Sequence, residues 1–254
     1  MHLSFSKLTN YLQCPYRLVL LQTQPELEVF VPQIRGLYIH EYMERRLRRD
    51  INGEDVRLDD IVDTILENKR GQRFFRFDVR KAVQDIKHLD VWYEQLLAFC
   101  RNHHVVRCET EKEVKRSTGE YDVLGVIDVV AYTPTGAFII DLKSSNKIGE
   151  YTPQQVVLYS WLLKGNDIAV DKGCLYFFKS DGTTEEKWFP FEENTKLLGW
   201  MLRLFNRIGT VLEYEMFEYL PPNTSQRTCH PNRCSVYYMC PHAHKQSLGL
   251  PYEY

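Results

Sequence analysis

Residues 126–132 and 137–142 form two apolar runs separated by Thr133-Pro134-Thr135-Gly136, a turn signal, and together they predict a β-hairpin. Side chains two apart on a strand share a face. The pattern therefore puts Asp128 beside Val126 and Val130, and puts Asp141 and Lys143 together beside Ile139. Carboxylates on hydrophobic strands are costly unless a charge or a metal pairs with them. An Asp–Lys salt bridge at a strand end would satisfy that requirement. So would a hard divalent cation with a water beside it.

Around this hairpin the periodicity alternates between helix and strand. Ser6 is placed to cap a short helix over 7–13, which Cys14-Pro15 interrupts, and a second short helix follows through Leu21. Residues 33–49 read as a helix with Ile34, Leu37, Tyr38, Met43 and Leu47 as its apolar positions. His40 lies on that helix one turn after Gly36, where a residue without a side chain would let another segment come close to the imidazole. Further helices are expected over 58–68 and 75–101, then strands over 105–114, 121–132 and 137–142. Pro153 opens a helix over 154–163, on which Gln155 and Tyr159 share a face that could overlook the acids. Strands over 174–179 and 187–191 precede a last helix, 194–215, with an apolar stripe from Leu197 to Leu212. This order predicts an α/β fold, a mixed central sheet flanked by helices.

Composition narrows the class without naming a partner. A chain of 254 residues, 44% hydrophobic, can bury a sizeable core. Its 32 basic and 34 acidic residues nearly cancel, so only a local basic patch could argue for nucleic acid. Arg35, Arg45, Arg46, Arg48, Arg49 and Lys147 are the candidates. The opening Met1-His2-Leu3-Ser4-Phe5-Ser6-Lys7 lacks the blocks of a secretory signal. No apolar run approaches the ~18 residues of a membrane span. With seven cysteines, an odd number, in so long a chain, the expectation is a reducing, cytoplasmic setting and no membrane partner.

Past Pro221-Pro222, Cys229, Cys234 and Cys240 fall in a loop-like segment with Cys-x4-Cys-x5-Cys spacing. Metal binding is the favoured reading, and a fourth ligand must come from elsewhere. Cys14 is the natural donor, because Cys14-Pro15 repeats the context of Cys240-Pro241. Zinc and iron–sulfur both accept thiolates, and His230, His242 and His244 lie near enough to keep zinc open. Cys100, Cys108 and Cys174 read as ordinary buried thiols.

Six pieces in order, namely Cys14, Arg35-Gly36 with His40, Gly125-Val126-Ile127-Asp128, Asp141-Leu142-Lys143, Gln155 with Tyr159, and the cysteine trio, resemble the PD-(D/E)XK nuclease superfamily. Within it they are similar to the RecB-like iron–sulfur exonucleases, the branch of the CRISPR-associated spacer-acquisition nucleases and the AddB-type nuclease domains. The resemblance implies a restriction-endonuclease-like fold and one nuclease domain over 1–254. Its parts would be a helical lobe at 33–103, a catalytic core at 104–192, and a long helix with the cysteine segment at 193–254, closing onto the N-terminus as a clasp. Two departures stand out: Ile127 occupies the place of the namesake proline, and the first cysteine gap is wider than the family's usual two residues.

Carried over by position, the resemblance implies that His40, Asp128, Asp141 and the Leu142 carbonyl hold Mn²⁺ or Mg²⁺. Lys143 would orient or deprotonate the attacking water, and Gln155 and Tyr159 would lie by the site and help hold DNA. Cys14, Cys229, Cys234 and Cys240 would bind a [4Fe-4S] cluster, with zinc as the alternative. The expected activity is hydrolysis of DNA at single-stranded ends or overhangs, with partner proteins of an integration or recombination complex. The competing expectations are a non-catalytic DNA-end-binding adaptor and a zinc-containing RNA nuclease of the same fold.

Overall fold

A computed structural model of the chain describes residues 2–23, 31–58, 79–144 and 152–216, then Leu220, Pro222, Asn223, Ser225, Cys229, Cys234, Val236, Tyr237 and residues 240–243. For Thr23, residues 31–35, Leu37, residues 79–86 and Thr152 that description is of the backbone alone. The helix expected over 58–68, the side chain of Arg35, and Lys147, His230 and His244 lie outside the described residues.

A short strand β1 (His2–Ser4) leads into helices α1 (Phe5–Gln13) and α2 (Pro15–Thr23), then α3 (Val31–Asp50) and α4 (Val79–Asn102). The hairpins follow as β2 (Arg107–Ser117), β3 (Asp122–Thr133) and β4 (Gly136–Lys143). Helix α5 (Thr152–Lys164), strands β5 (Val170–Phe178) and β6 (Thr184–Pro190), and helix α6 (Thr195–Glu213) complete the order. Proline explains the break between α1 and α2. Cys14, the residue before Pro15, is forced to an extended φ −161°, ψ 107°. The cap of α1 is Ser4, not Ser6: the Ser4 hydroxyl accepts from the Lys7 N–H at 3.4 Å, and the helix already begins at Phe5.

The six strands form one mixed sheet, β1-β3-β4-β5-β6 with β2 on the other edge of β3. β2 runs antiparallel to β3 along nearly its whole length. The opposite edge of β3 is divided. β1 pairs in parallel with residues 122–124, and β4 pairs antiparallel with residues 129–133. β1 is too short to show a period, and it was not visible in the sequence pattern. β4 continues in parallel to β5, as a crossover through α5 requires.

Helices cover both faces. α1, α2, α5 and α6 pack one face through Leu8, Leu18, Leu158, Leu162, Met201 and Phe205. α3 and α4 pack the other through Ile39, Met43, Leu47, Trp92 and Leu96. Alternation fails at one place. Ile127 and Val130 face α5 and α6, whereas Val129 and Ala131 face α3 and α4. Val126 and Val130 therefore lie on opposite faces, and Asp128 does not share a face with both as strict alternation predicted. Its partner position on β2 is Glu111, whose φ of 47° is left-handed. Both strands turn over there.

Gly173 on β5 lets α5 sit close to the sheet: a Cβ there would lie 2.1 Å from Val156 Cγ1. Valine is stiff and buried at this contact, so the clash cannot be absorbed by a rotamer change. Gly173→Ala is expected to destabilise the fold by about 1–3 kcal/mol, read as a lower denaturant midpoint with unchanged m-value. An unaltered midpoint would mean that α5 is not seated this tightly.

Candidate active site

The last bridged pair between β3 and β4 is Val129–Ile140. Beyond it the two strands separate, and the Leu142 N–H has no strand partner on that side. Asp128 takes over: its Oδ2 accepts from Leu142 N at 2.8 Å. One carboxylate thus closes the fork between the strands and stays within it. Asp141 lies on the other prong with Ile139 and Lys143 on its face, as alternation predicted. It is 1% exposed, and neither of its oxygens has a hydrogen-bond partner. The Lys143 ammonium stands 2.6 Å from Asp141 Oδ2, a close ion pair without directed hydrogen-bond geometry.

Helix α3 brings a second stripe to the fork. Its core positions are Ile39, Met43 and Leu47, so Gly36, His40 and Glu44 lie together on the neighbouring side. His40 Nδ1 is 3.7 Å from Asp128 Oδ2. Ligand atoms of His40, Glu44 and Asp128 all fall within 4.8 Å of one another. Gly36 admits the segment after β4: a Cβ there would lie 3.3 Å from the Ser144 hydroxyl. The sequence reading missed Glu44 and Glu111. Glu44 had a signal, four residues after His40. Glu111 had none, because only the turnover of β2 brings it in.

Electrostatics at the fork follow from burial. Desolvation and the Lys143 charge lower the His40 pKa to about 4, so its imidazole is neutral and able to ligate. Burial raises Asp141 to about 6 and Asp128 upward, each partly opposed by Lys143. Burial, then the charges of Glu111 and Asp128, push Glu44 to about 10. Glu111 is raised as well, chiefly by desolvation and then by the Asp128 charge. A site crowded with buried acids and one lysine lacks positive charge. Asp141 Oδ1 and Glu44 Oε1, both buried and without a hydrogen-bond partner, fit a hard divalent cation.

From Asp141 a polar chain runs to α5. Lys143 Nζ donates to Gln155 Oε1 at 3.2 Å, and Gln155 Nε2 donates to the Tyr159 hydroxyl at 2.9 Å. The Tyr159 ring lies on Gly125, where a Cβ would be 2.9 Å from ring atom Cε1. The expected Gln155–Tyr159 face does meet the acid pair, through Lys143.

Arg45, Arg46, Arg48 and Arg49 of α3 are engaged elsewhere. Arg45 pairs with Glu41 at 2.5 Å, and Arg46 reaches Asp90 at 2.8 Å while lying 4.0 Å from the Tyr93 ring centroid. Arg48 and Arg49 pair with Glu54 and Asp50 at 2.7 Å each. Arg46 is a staple between α3 and α4, which removes it from the phosphate-contact candidates.

The C-terminal segment meets the α1–α2 break. Asn223 donates its backbone N–H to Cys14 Sγ at 3.3 Å and its side-chain amide to the Gln13 carbonyl at 2.8 Å. Cys229 lies close enough to Cys240, Cys234 and Cys14 to feel all three, and burial with their charges lifts its pKa to about 11. Burial raises Cys234 and Cys240, opposed by the nearby backbone N–H groups of Val236 and of Ala243 and His242 respectively. Cys100, Cys108 and Cys174 are buried among the side chains between the sheet and α3–α4, as expected of core thiols.

The profile described as PD-(D/E)XK nuclease superfamily matches residues 2–241, and the chain belongs to that superfamily. It is thus a nuclease-superfamily protein, of a class of metal-dependent hydrolases. Among curated proteins, none matches the chain. Solved structures similar at a distance include two proteins. SSO0001 shares 18% identity and a TM-score of 0.40, over 81% of this chain and 85% of its own. A Eubacterium rectale protein with an exonuclease designation shares 11% identity and a TM-score of 0.46, over 85% and 74%. Both are too remote to bear on function. Among the described residues no helix is long and apolar enough to cross a membrane.

Glu44 makes the metal-free protein sensitive to pH. Folded, it keeps its proton to about pH 10, while the unfolded chain loses it near 4.5. The folded state then binds the extra proton, so stability falls as pH rises between those values, by at most about 1.4 kcal/mol per pH unit. His40 has the opposite sign, but its contribution is complete above 6.5. With chelator present, Tm is expected to fall from about pH 7 to about pH 9, at ~2–4 °C per kcal/mol. Glu44→Gln should flatten that fall, and an identical slope in the variant would contradict the assignment.

Proposed function

We propose that the chain is a divalent-metal-dependent DNA exonuclease of the RecB-like iron–sulfur branch, acting on single-stranded ends or overhangs. One observation carries the reading: His40, Asp128, Asp141 and Lys143, from one helix and two strands, converge on a single fork in which the buried Asp141 Oδ1 has no partner. His40, Asp128, Asp141 and the Leu142 carbonyl would hold Mn²⁺ or Mg²⁺. Once bound, such an ion neutralises phosphate oxygens and acidifies water. An imidazole in the set favours Mn²⁺ over Mg²⁺, which prefers oxygen.

The protein's own groups have separable tasks. Neutral His40 and buried Asp141 exclude bulk water from one side. Lys143, held by Gln155, keeps an ammonium beside the acids, where it can turn to the attacking water or to a phosphate oxygen. Gln155 is a positioning residue for Lys143, and Tyr159 fixes Gln155. Removing Asp141 would leave Lys143 without its close anion and the ion without a ligand.

For the thiols, the cluster reading has physical support. Cys14, Cys234 and Cys240 all lie near enough to Cys229 to raise its pKa, as an all-thiolate site requires. Burial raises Cys234 and Cys240, and backbone N–H groups offset part of that rise. Phosphodiester hydrolysis moves no electrons, so the cluster's role is structural.

Asp141→Ala is expected to abolish cleavage of end-labelled single strands in Mn²⁺ while the circular dichroism spectrum is retained. Loss of fold together with activity, or a wild-type protein that binds DNA ends without cutting, would favour an adaptor. Anaerobic purification should yield a brown protein with broad visible absorption. A colourless protein carrying zinc rules the cluster out.

A further inference from the structure

We propose that Tyr16 and His242 are positioning residues for the cysteine site: their rings form a staple that sets Cys14 against Cys240, and His242 acts by packing and not as a metal ligand. This inference rests on the metal-clasp reading and adds to it the side chains that hold the two ends of the chain in place.

Sequence and structure repeat each other at the two ends. Cys14-Pro15-Tyr16-Arg17 and Cys240-Pro241-His242-Ala243 each place a proline directly after the thiol and a ring directly after the proline. Each also begins a helical turn, that of α2 at Pro15 and that of residues 241–243. Proline suits a first helical position, where its missing N–H has no bond to lose. In both turns the third residue after the thiol closes back on it. Arg17 N–H donates to the Cys14 carbonyl at 2.9 Å, and Ala243 N–H donates to the Cys240 carbonyl at 3.1 Å. With the backbone fixed in this way, each ring keeps a set offset from its thiol.

The two rings meet. Their centroids lie 4.6 Å apart with planes at 87°, an edge-to-face pair. Both rings are half-buried, while Cys14 and Cys240 are buried beside them and Ala243 is fully enclosed. Because the turns are alike and joined ring to ring, the ring contact fixes where the second thiol lies relative to the first. Asn223 supplies the other tie, donating to Cys14 Sγ and to the Gln13 carbonyl. The C-terminal segment is thus fastened to the Cys14 turn ahead of its thiols by Asn223 and after them by His242. Cys229 and Cys234, both more exposed, fall between these ties in the chain. Imidazole is a common zinc ligand, so a histidine two residues from a thiol has two possible tasks. Its ring contact with Tyr16, itself two residues from the opposite thiol, assigns it the packing one.

The test follows metal retention rather than turnover. Full-length protein is purified anaerobically, its iron, sulfide and zinc are measured, and release of the bound metal to an excess of chromogenic chelator is timed. Tyr16→Ala and His242→Ala are expected to release metal about tenfold faster than the wild type, which is ~1.4 kcal/mol and the size of a good ring pair. The double variant should be about as fast as either single one, because the same contact is lost. Tyr16→Phe and His242→Phe keep a ring and should match the wild type in both metal content and release. Should the alanine variants fail to fold, Tyr16→Leu and His242→Leu, which keep apolar bulk without a ring, replace them. Release at the wild-type rate from the ringless variants, however far their Tm falls, makes the pair an ordinary structural contact and overturns the staple. Loss of metal from a folded His242→Phe makes the imidazole a ligand and also overturns it. A wild type holding zinc in place of iron sinks the cluster reading and leaves the staple standing. A wild type holding neither overturns the clasp and the staple together, and leaves the nuclease fork untouched.

Discussion

The structure depends on β3 sharing one of its edges between two strands. β1 takes its beginning and β4 its end, which leaves residues 125–128 without a strand partner on that edge among the described residues. A backbone left open inside a sheet is costly unless its donors find acceptors. Asp128 provides one for Leu142, so the residue that ends the pairing also repairs it. The vacated space is where α3 and α5 can insert His40, Glu44, Gln155 and Tyr159. An ordinary four-residue extension of the β3–β4 ladder would close the site entirely.

The glycines flanking the fork are consistent with that view. Gly125 receives the Tyr159 ring, and Gly36 receives the Ser144 hydroxyl. At Gly125 a Cβ would lie 2.7 Å from Leu162 Cδ1, too close to fit, whereas at Gly36 the 3.3 Å to the Ser144 hydroxyl is tight. They set the depth to which α5 and the end of β4 can approach, and hence the distance between Lys143 and the acids.

Much of this was legible from the chain. The hairpin, α3, α5 and the apolar stripe of α6 were visible as periodicities, and their observed bounds differ from expectation by only a few residues. Asp141 and Lys143 share a face because β4 is regular, and regular strands are what alternation describes. Asp128 was assigned to the site for a reason that fails in detail, since β3 turns over at that residue. Glu111 was invisible for the same cause: a left-handed residue in a strand cannot be read from hydrophobic pattern, and glutamate is not a residue that advertises one. Glu44 was overlooked because the apolar stripe on α3 was drawn through Tyr38 instead of Ile39. That rotation hid the polar stripe beside it.

The proposed clasp has a mechanical relation to the site that does not require electron transfer. Cys14 sits between α1 and α2, and α1 follows directly from β1, which holds the first residues of β3. A metal joining Cys14 to the C-terminal thiols would therefore anchor one of the two strands that divide the β3 edge. Closing a loop from Cys14 to Cys229 costs roughly 5 kcal/mol of chain entropy. Structural thiolate metals contribute about 10–16 kcal/mol, judged from zinc peptides, so the clasp would close with energy to spare. Without it, β1 has three paired residues and two short helices to keep it in place. The division of β3 between β1 and β4, and with it the position of Asp128, would then rest on the weakest strand in the sheet. The proposed clasp would in this way bear on the site without electron transfer, by holding the edge against which the fork opens.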